Sequence, residues 1–250
     1  MSATNMKGTN GVPLLGSDLL ERPGRIVELS GEIYTGMPTF ALHQQPFIFV
    51  NHTHAESVER FGVRMPFEAH NLLISEHTGT HADAIFEYDP KGPTLDATPL
   101  AYYYGDAVCL DMTDVRHPDY IEPEALDRAL ARSGQEIRRG DIVLLYTGHR
   151  ERTWPSQTYL VDQAGLGDAG ARWLAERGVV NIGIDAVSID HSDDPEMSAH
   201  VVCREYHIVN TESLCNLHEV VGQRFTYFGL PLNIRGGTGS PIRAIAVLGE

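Results

Sequence analysis

The run Ile142-Val143-Leu144-Leu145-Tyr146 constrains the fold more than any other stretch of the chain. It is entered through Arg139-Gly140-Asp141 and left through Thr147-Gly148, and its apolar residues are unbroken rather than alternating. Successive side chains of a strand point to opposite faces, so an unbroken apolar run needs cover on both. Val179 to Asp185 and Asp106 to Met112 read as further strands. Between them stand two helices. Glu122 to Leu130 opens with acids and a proline near its first turn, with apolar residues at 125, 126, 129 and 130. Ala169 to Arg177 is followed by Gly178, the residue expected just past a helix end. A third helix is admitted near His200.

The flanks are strand-like as well. Ile26 to Ser30, Phe47 to His52 and Phe67 to Glu76 precede this block, and Phe225 to Leu232 and Arg243 to Leu248 follow it. Strands dominate, with few helices, so the expected class is α/β with a mixed sheet. Residues 26–250 are expected to form one domain, and Met1 to about Arg25, where Gly, Pro and Asn recur without period, a loose arm.

Composition narrows the partners. With 250 residues, 42% of them hydrophobic, one sizeable core is affordable without a second domain. The formal charge of −15 repels phosphate backbones and anionic lipid, so neither nucleic acid nor a membrane is expected as a partner. Cys109, Cys203 and Cys215 are odd in number and lack CxxC spacing, which argues against a disulfide framework. Met1 to Ser17 has no basic stretch leading into an apolar one, and no run reaches the roughly eighteen apolar residues of a membrane span. A cytoplasmic protein acting on a small molecule is expected.

The chemistry concentrates in Ser75-Glu76-His77-Thr78-Gly79-Thr80-His81-Ala82-Asp83-Ala84. Two imidazoles four residues apart share a face if the segment is helical. His81 and Asp83, two apart, share a face if it is extended. Gly79 lets the backbone change course between them. A tight turn or a short helical bend entering a strand therefore converges two nitrogens and one carboxylate on a point. Such a set leaves coordination positions open for water and substrate, unlike closed cysteine-rich sites.

This segment resembles the HxGTHxDA signature of the cyclase-like metal-dependent hydrolases, which include bacterial kynurenine formamidase, isatin hydrolase and trans-dienelactone hydrolase. The resemblance extends to Glu28 to Pro38, Asp89 to Gly92 with Pro99-Leu100, Arg139 to Gly148, Gly183 to Asp190 (a GIDxxSxD loop) and Gly239 to Ala244. It implies a swivelling β/β/α fold, a homodimer or homotetramer, and Zn2+ or Mn2+ held by His77, His81 and Asp83. It further implies hydrolysis of a small amide, formamide or lactone by metal-activated water. A metal-dependent lyase or cyclase, or a metal-binding member without catalysis, are the alternatives.

The resemblance also draws in His200 and Glu212, twelve residues later, as ligands of a second ion or as groups that hydrogen-bond substrate. Ser213 stands where an asparagine is usual. The larger departure is Glu87, in the place of a histidine thought to move protons beside the metal. Glu87 is expected to take over that role, given a pKa raised by burial or neighbouring acids.

The other histidines at 43, 52, 54, 70 and 149 could line a pocket, with surface or half-buried positions as the plainer reading, His149 being the best placed of them. His52 and His54 would share a face in an extended segment. Arg235-Gly236-Gly237-Thr238-Gly239 lacks the Gly-Lys-Ser/Thr ending of a phosphate loop and reads as a turn. Trp154 and Tyr102-Tyr103-Tyr104 are candidates for an apolar pocket wall, with core packing as the plainer reading. Pro38 to His54 and Arg150 to Gly167 are the loops expected to set specificity.

Overall fold

The structure, a computed structural model, describes residues 24–62 and 64–249. The expected N-terminal arm thus lies almost wholly outside the described residues. In chain order the strands are β1 (Arg25–Glu28), β2 (Phe47–His52), β3 (Ala69–Leu73), β4 (His81–Asp83), β5 (Tyr104–Asp111) and β6 (Ile142–Tyr146). They continue with β7 (Asn181–Ile184), β8 (Val209–Glu212), β9 (Arg224–Phe228), β10 (Gly239–Pro241) and β11 (Ile245–Leu248). The helices are α1 (His54–Phe61), α2 (Pro123–Ser133), α3 (His149–Thr153), α4 (Asp168–Glu176) and α5 (Ser198–Tyr206).

Nine strands form one mixed sheet in the order β1-β11-β9-β5-β6-β7-β8-β4-β10. The middle four, β5 to β8, run parallel, and every outer pairing is antiparallel. This is the α/β class with a mixed sheet. The unbroken run of β6 is explained by its two faces. Val143 and Leu145 join Val108, Leu110, Ile182 and Ile184 against Leu126 of α2, Leu174 of α4 and Val202 of α5. Ile142 and Leu144 join Ala107, Cys109, Phe225 and Tyr227 in a second core, which Val27, Ala82 and Ala246 of the outer strands complete.

The helix ends follow their residues. Pro123 opens α2 where its missing N–H costs nothing, and Gly134 closes it in the left-handed region at φ 64°. Gly178, at φ 77°, follows the end of α4 as the sequence implies. Two helices, α1 and α3, are absent from the sequence reading. Thr53 caps α1 reciprocally with Glu56, so His54 starts a helix rather than sharing an extended face with His52. Beside α1, β2 and β3 pair, among the described residues, only with each other and leave Phe47, Phe49, Leu72 and Leu73 exposed.

Candidate metal centre

Residues 76–80 form a tight turn rather than a helical bend, and the chain then enters β4. Gly79 makes the turn possible. It sits at φ 64°, where a side chain is strained, and an added Cβ would press on Ile33 and Met37 at 3.3 and 3.4 Å. Thr78 Oγ1 accepts from the Ser75 amide at 3.0 Å, and Thr80 Oγ1 donates to the Ser213 carbonyl at 2.6 Å, pinning both limbs. β4 lies between β8 and β10, with His81 opposite Glu212 and Asp83 opposite Gly239. Sheet register therefore carries residues from three distant segments to one place.

There, His77 Nδ1 lies 2.7 Å and His81 Nε2 3.4 Å from Asp83 Oδ1. One ligand atom from each of the three residues falls within 4.8 Å of the others. Their side chains are 7, 5 and 2% exposed, so little water screens the charge. Both imidazoles are oriented from behind. The far nitrogen of His81, Nδ1, donates to the Gly79 carbonyl at 2.8 Å, leaving the Nε2 lone pair facing Asp83. His77 Nε2 donates to Thr238 Oγ1 at 3.0 Å, and that hydroxyl donates onward to Glu76 at 2.6 Å. Metal-binding histidines are held this way, by a partner on the nitrogen away from the ion. Thr238→Val should therefore weaken metal affinity roughly 10- to 100-fold while leaving the fold intact, as competition with a fluorescent chelator would measure.

The titrations mark a site short of positive charge. Burial acts to raise Asp83, but His81, His200 and His77 outweigh it and hold the carboxyl well below the usual range. Glu87 is raised to about 9, by burial first and then by Asp83, and Glu212 to about 8 by the same two causes. Burial acts to lower His77, yet the Asp83 hydrogen bond and nearby carboxylates lift it to about 9. His81 is lowered by burial. A divalent cation among these donors would draw the acids back toward ionisation. Two nitrogens and a carboxylate with one negative charge to satisfy fit such an ion.

Glu87 closes the short helical turn Ile85–Glu87 and stands at the rim, 29% of its side chain exposed and 3.6 Å from His77 Nδ1. His200 lies in α5 and Glu212 ends β8; they face each other at 3.7 Å, and His81 Nε2 is 3.6 Å from Glu212. A second trio, Asp83, Glu87 and His200, also brings ligand atoms within 4.8 Å. All six sequence-derived residues thus surround one point. All but Asp83 line a cavity of about 450 Å³, the size of small-ligand sites.

The cavity's apolar wall comes from the two loops expected to set specificity. Phe40 and Leu42 come from one, Trp154, Tyr159 and Val161 from the other. Tyr103 packs in the core instead, its hydroxyl donating to the Asp83 carbonyl at 3.2 Å. His149 is buried with Nε2 donating to the Tyr159 carbonyl at 3.0 Å, and it does not line the cavity. His43 does, stacked on His77 with ring centroids 4.9 Å apart. The sequence offers His43 only as one of five histidines able to line a pocket, and gives no sign of Thr238, Asp190 and Asn210 as site residues. Of these, Asp190 stands inside the GIDxxSxD loop and Thr238 inside the Arg235 to Gly239 turn.

The family model described as "Putative cyclase" matches residues 27–191. A kynurenine formamidase of Paracidovorax citrulli (strain AAC00-1) is 27% identical over 223 residues, covering 89% of this chain and 96% of that protein. A kynurenine formamidase of Salinibacter ruber (strain DSM 13855 / M31) is 29% identical, covering 70% of this chain and 77% of that one. Among solved structures, isatin hydrolase A from Labrenzia aggregata, bound to benzyl benzoate, superposes with a TM-score of 0.80 at 22% identity. It covers 90% of this chain and 94% of its own, a likeness of fold.

Proposed function

The chain belongs to the putative cyclase family, and from that membership we propose that it is a metal-dependent hydrolase of a small amide, formamide or lactone. One observation carries the reading: His77 Nδ1, His81 Nε2 and a carboxylate oxygen of Asp83 converge beside a cavity that both histidines line, with Glu87 at its rim. In this account His77, His81 and Asp83 hold a divalent ion, zinc or manganese. When bound, it supplies Lewis acidity at the scissile carbonyl and lowers the pKa of attacking water towards neutrality. Glu87 takes the proton from that water and returns it to the leaving nitrogen or oxygen. Phe40, Trp154 and Tyr159 present flat apolar surfaces that exclude water and orient a small, ring-bearing acyl compound.

The same reading places the protein in the cytoplasm as a homodimer or homotetramer, acting on a small molecule and on neither nucleic acid nor lipid. Among the described residues no helix is long and apolar enough to cross a membrane. Metal-loaded protein assayed against aryl formamides, cyclic amides and lactones tests the proposal. Hydrolysis of at least one class, abolished by a chelator, is expected. Loss of water from a substrate without ring opening or acyl cleavage would assign a lyase instead. Metal binding without turnover of any compound would assign a binding protein.

A further inference from the structure

Two roles are open to His200, ligand of a second ion or fixed hydrogen-bonding group, and its neighbours distinguish them. Its Nδ1 is in hydrogen-bonding contact with Asp190 Oδ2. Asp190 Oδ1 accepts from the Ala199 amide at 2.7 Å, which ties that carboxylate to the first turn of α5. Nδ1 is thereby closed to an ion. The other nitrogen, Nε2, lies 2.8 Å from the side-chain Nδ2 of Asn210, nearer than Glu212 Oε1 at 3.7 Å or Asp83 Oδ2 at 4.0 Å.

Asn210 is fully buried on β8, two residues before Glu212, so both side chains leave the same face of the strand towards α5. An imidazole nitrogen has one in-plane lone pair. If Nε2 accepts from the amide, that pair is used. If the amide is turned over, its oxygen faces Nε2, which must then carry a hydrogen and again has no pair to give. A metal-binding imidazole requires the free pair. The remaining amide atom, Oδ1, has no partner among the described residues. Burying an amide with one end unsatisfied is costly, so Asn210 is not explained as a space-filling residue; its one side-chain hydrogen bond goes to His200.

Resting on the metal-hydrolase reading above, we propose that Asn210 keeps His200 out of metal coordination. The chain then carries a single ion, on His77, His81 and Asp83, and His200 serves as a fixed hydrogen-bonding group beside Glu212.

The test loads the full-length protein with excess Mn2+, removes unbound ion by gel filtration, and measures manganese per chain alongside the electron paramagnetic resonance spectrum. One manganese per chain with the spectrum of an isolated ion is expected, and His200→Gln should keep that one. Asn210→Leu, which frees the Nε2 lone pair, should take up a second. Two ions per chain or a spin-coupled pair in the unaltered protein would overturn the proposal, as would loss of an equivalent in His200→Gln. A folded Asn210→Leu that stays at one ion would overturn the part given to Asn210. No bound manganese, and none with Zn2+ by elemental analysis, would overturn the metal-hydrolase reading itself.

Discussion

Asp83→Ala is expected to strip the protein of its metal and of its turnover together. Asp83 offers the only carboxylate of the trio, and both ring nitrogens are gathered around its Oδ1 at 2.7 and 3.4 Å. It is 1% exposed and is kept ionised by three histidines against the cost of burial. Removing it leaves two neutral imidazoles facing a cavity, with no charge to offset dehydration of a divalent ion. The loss of affinity should exceed the roughly 10- to 100-fold that a partner of a ligand costs. The fold should survive, because the Asp83 main chain keeps its place in β4 and its carbonyl still accepts from Tyr103. Metal content after dialysis, with a thermal melt as the folding control, reads the outcome. A folded variant that retained stoichiometric metal would remove Asp83 from the ligand set.

Glu87→Gln should separate proton transfer from metal binding. The amide keeps the shape of the side chain and its contact with His77, but cannot accept a proton from water. Turnover should fall roughly 10²- to 10⁴-fold, the usual contribution of a general acid or base. Metal content should be unchanged. Glu87→His should recover part of the rate, since an imidazole at that position moves protons equally well. Were Glu87 a fourth ligand, the glutamine variant would lose metal along with rate and become more sensitive to chelators. Were it a bystander at the rim, kinetics would be near normal, and the base would have to be sought elsewhere in the cavity.

What the sequence disclosed follows from the range of the forces involved. β5, β6 and β7 are legible because both faces of the central sheet are buried, which writes Val143 to Leu145 and their neighbours as unbroken apolar runs. The core of the centre is legible because three donors and the glycine between them lie within seven residues of chain. α1 was missed because the exposed arm it belongs to buries little, although Thr53 and Glu56 carried its capping signal. β10 is legible only through the resemblance of Gly239 to Ala244, since three residues with a glycine and a proline have no β pattern of their own.

The supporting residues fail to announce themselves for a different reason. Thr238 reaches His77 across 161 positions through the β4–β10 pairing, and Asn210 of β8 meets His200 of α5 side chain to side chain. Neither residue belongs to a local periodicity or carries a ligand type that would single it out. His43 reaches the cavity from an irregular loop, so no period points to it.

The most direct measurement is reconstitution. Protein stripped with a chelator and dialysed should be inactive towards a formamide or lactone substrate. Adding Zn2+ or Mn2+ back should restore hydrolysis in proportion to bound ion, and stripped Asp83→Ala protein should not respond. Full turnover by stripped protein, or recovery in the Asp83 variant equal to that of the unaltered chain, would contradict metal-dependent hydrolysis at His77, His81 and Asp83.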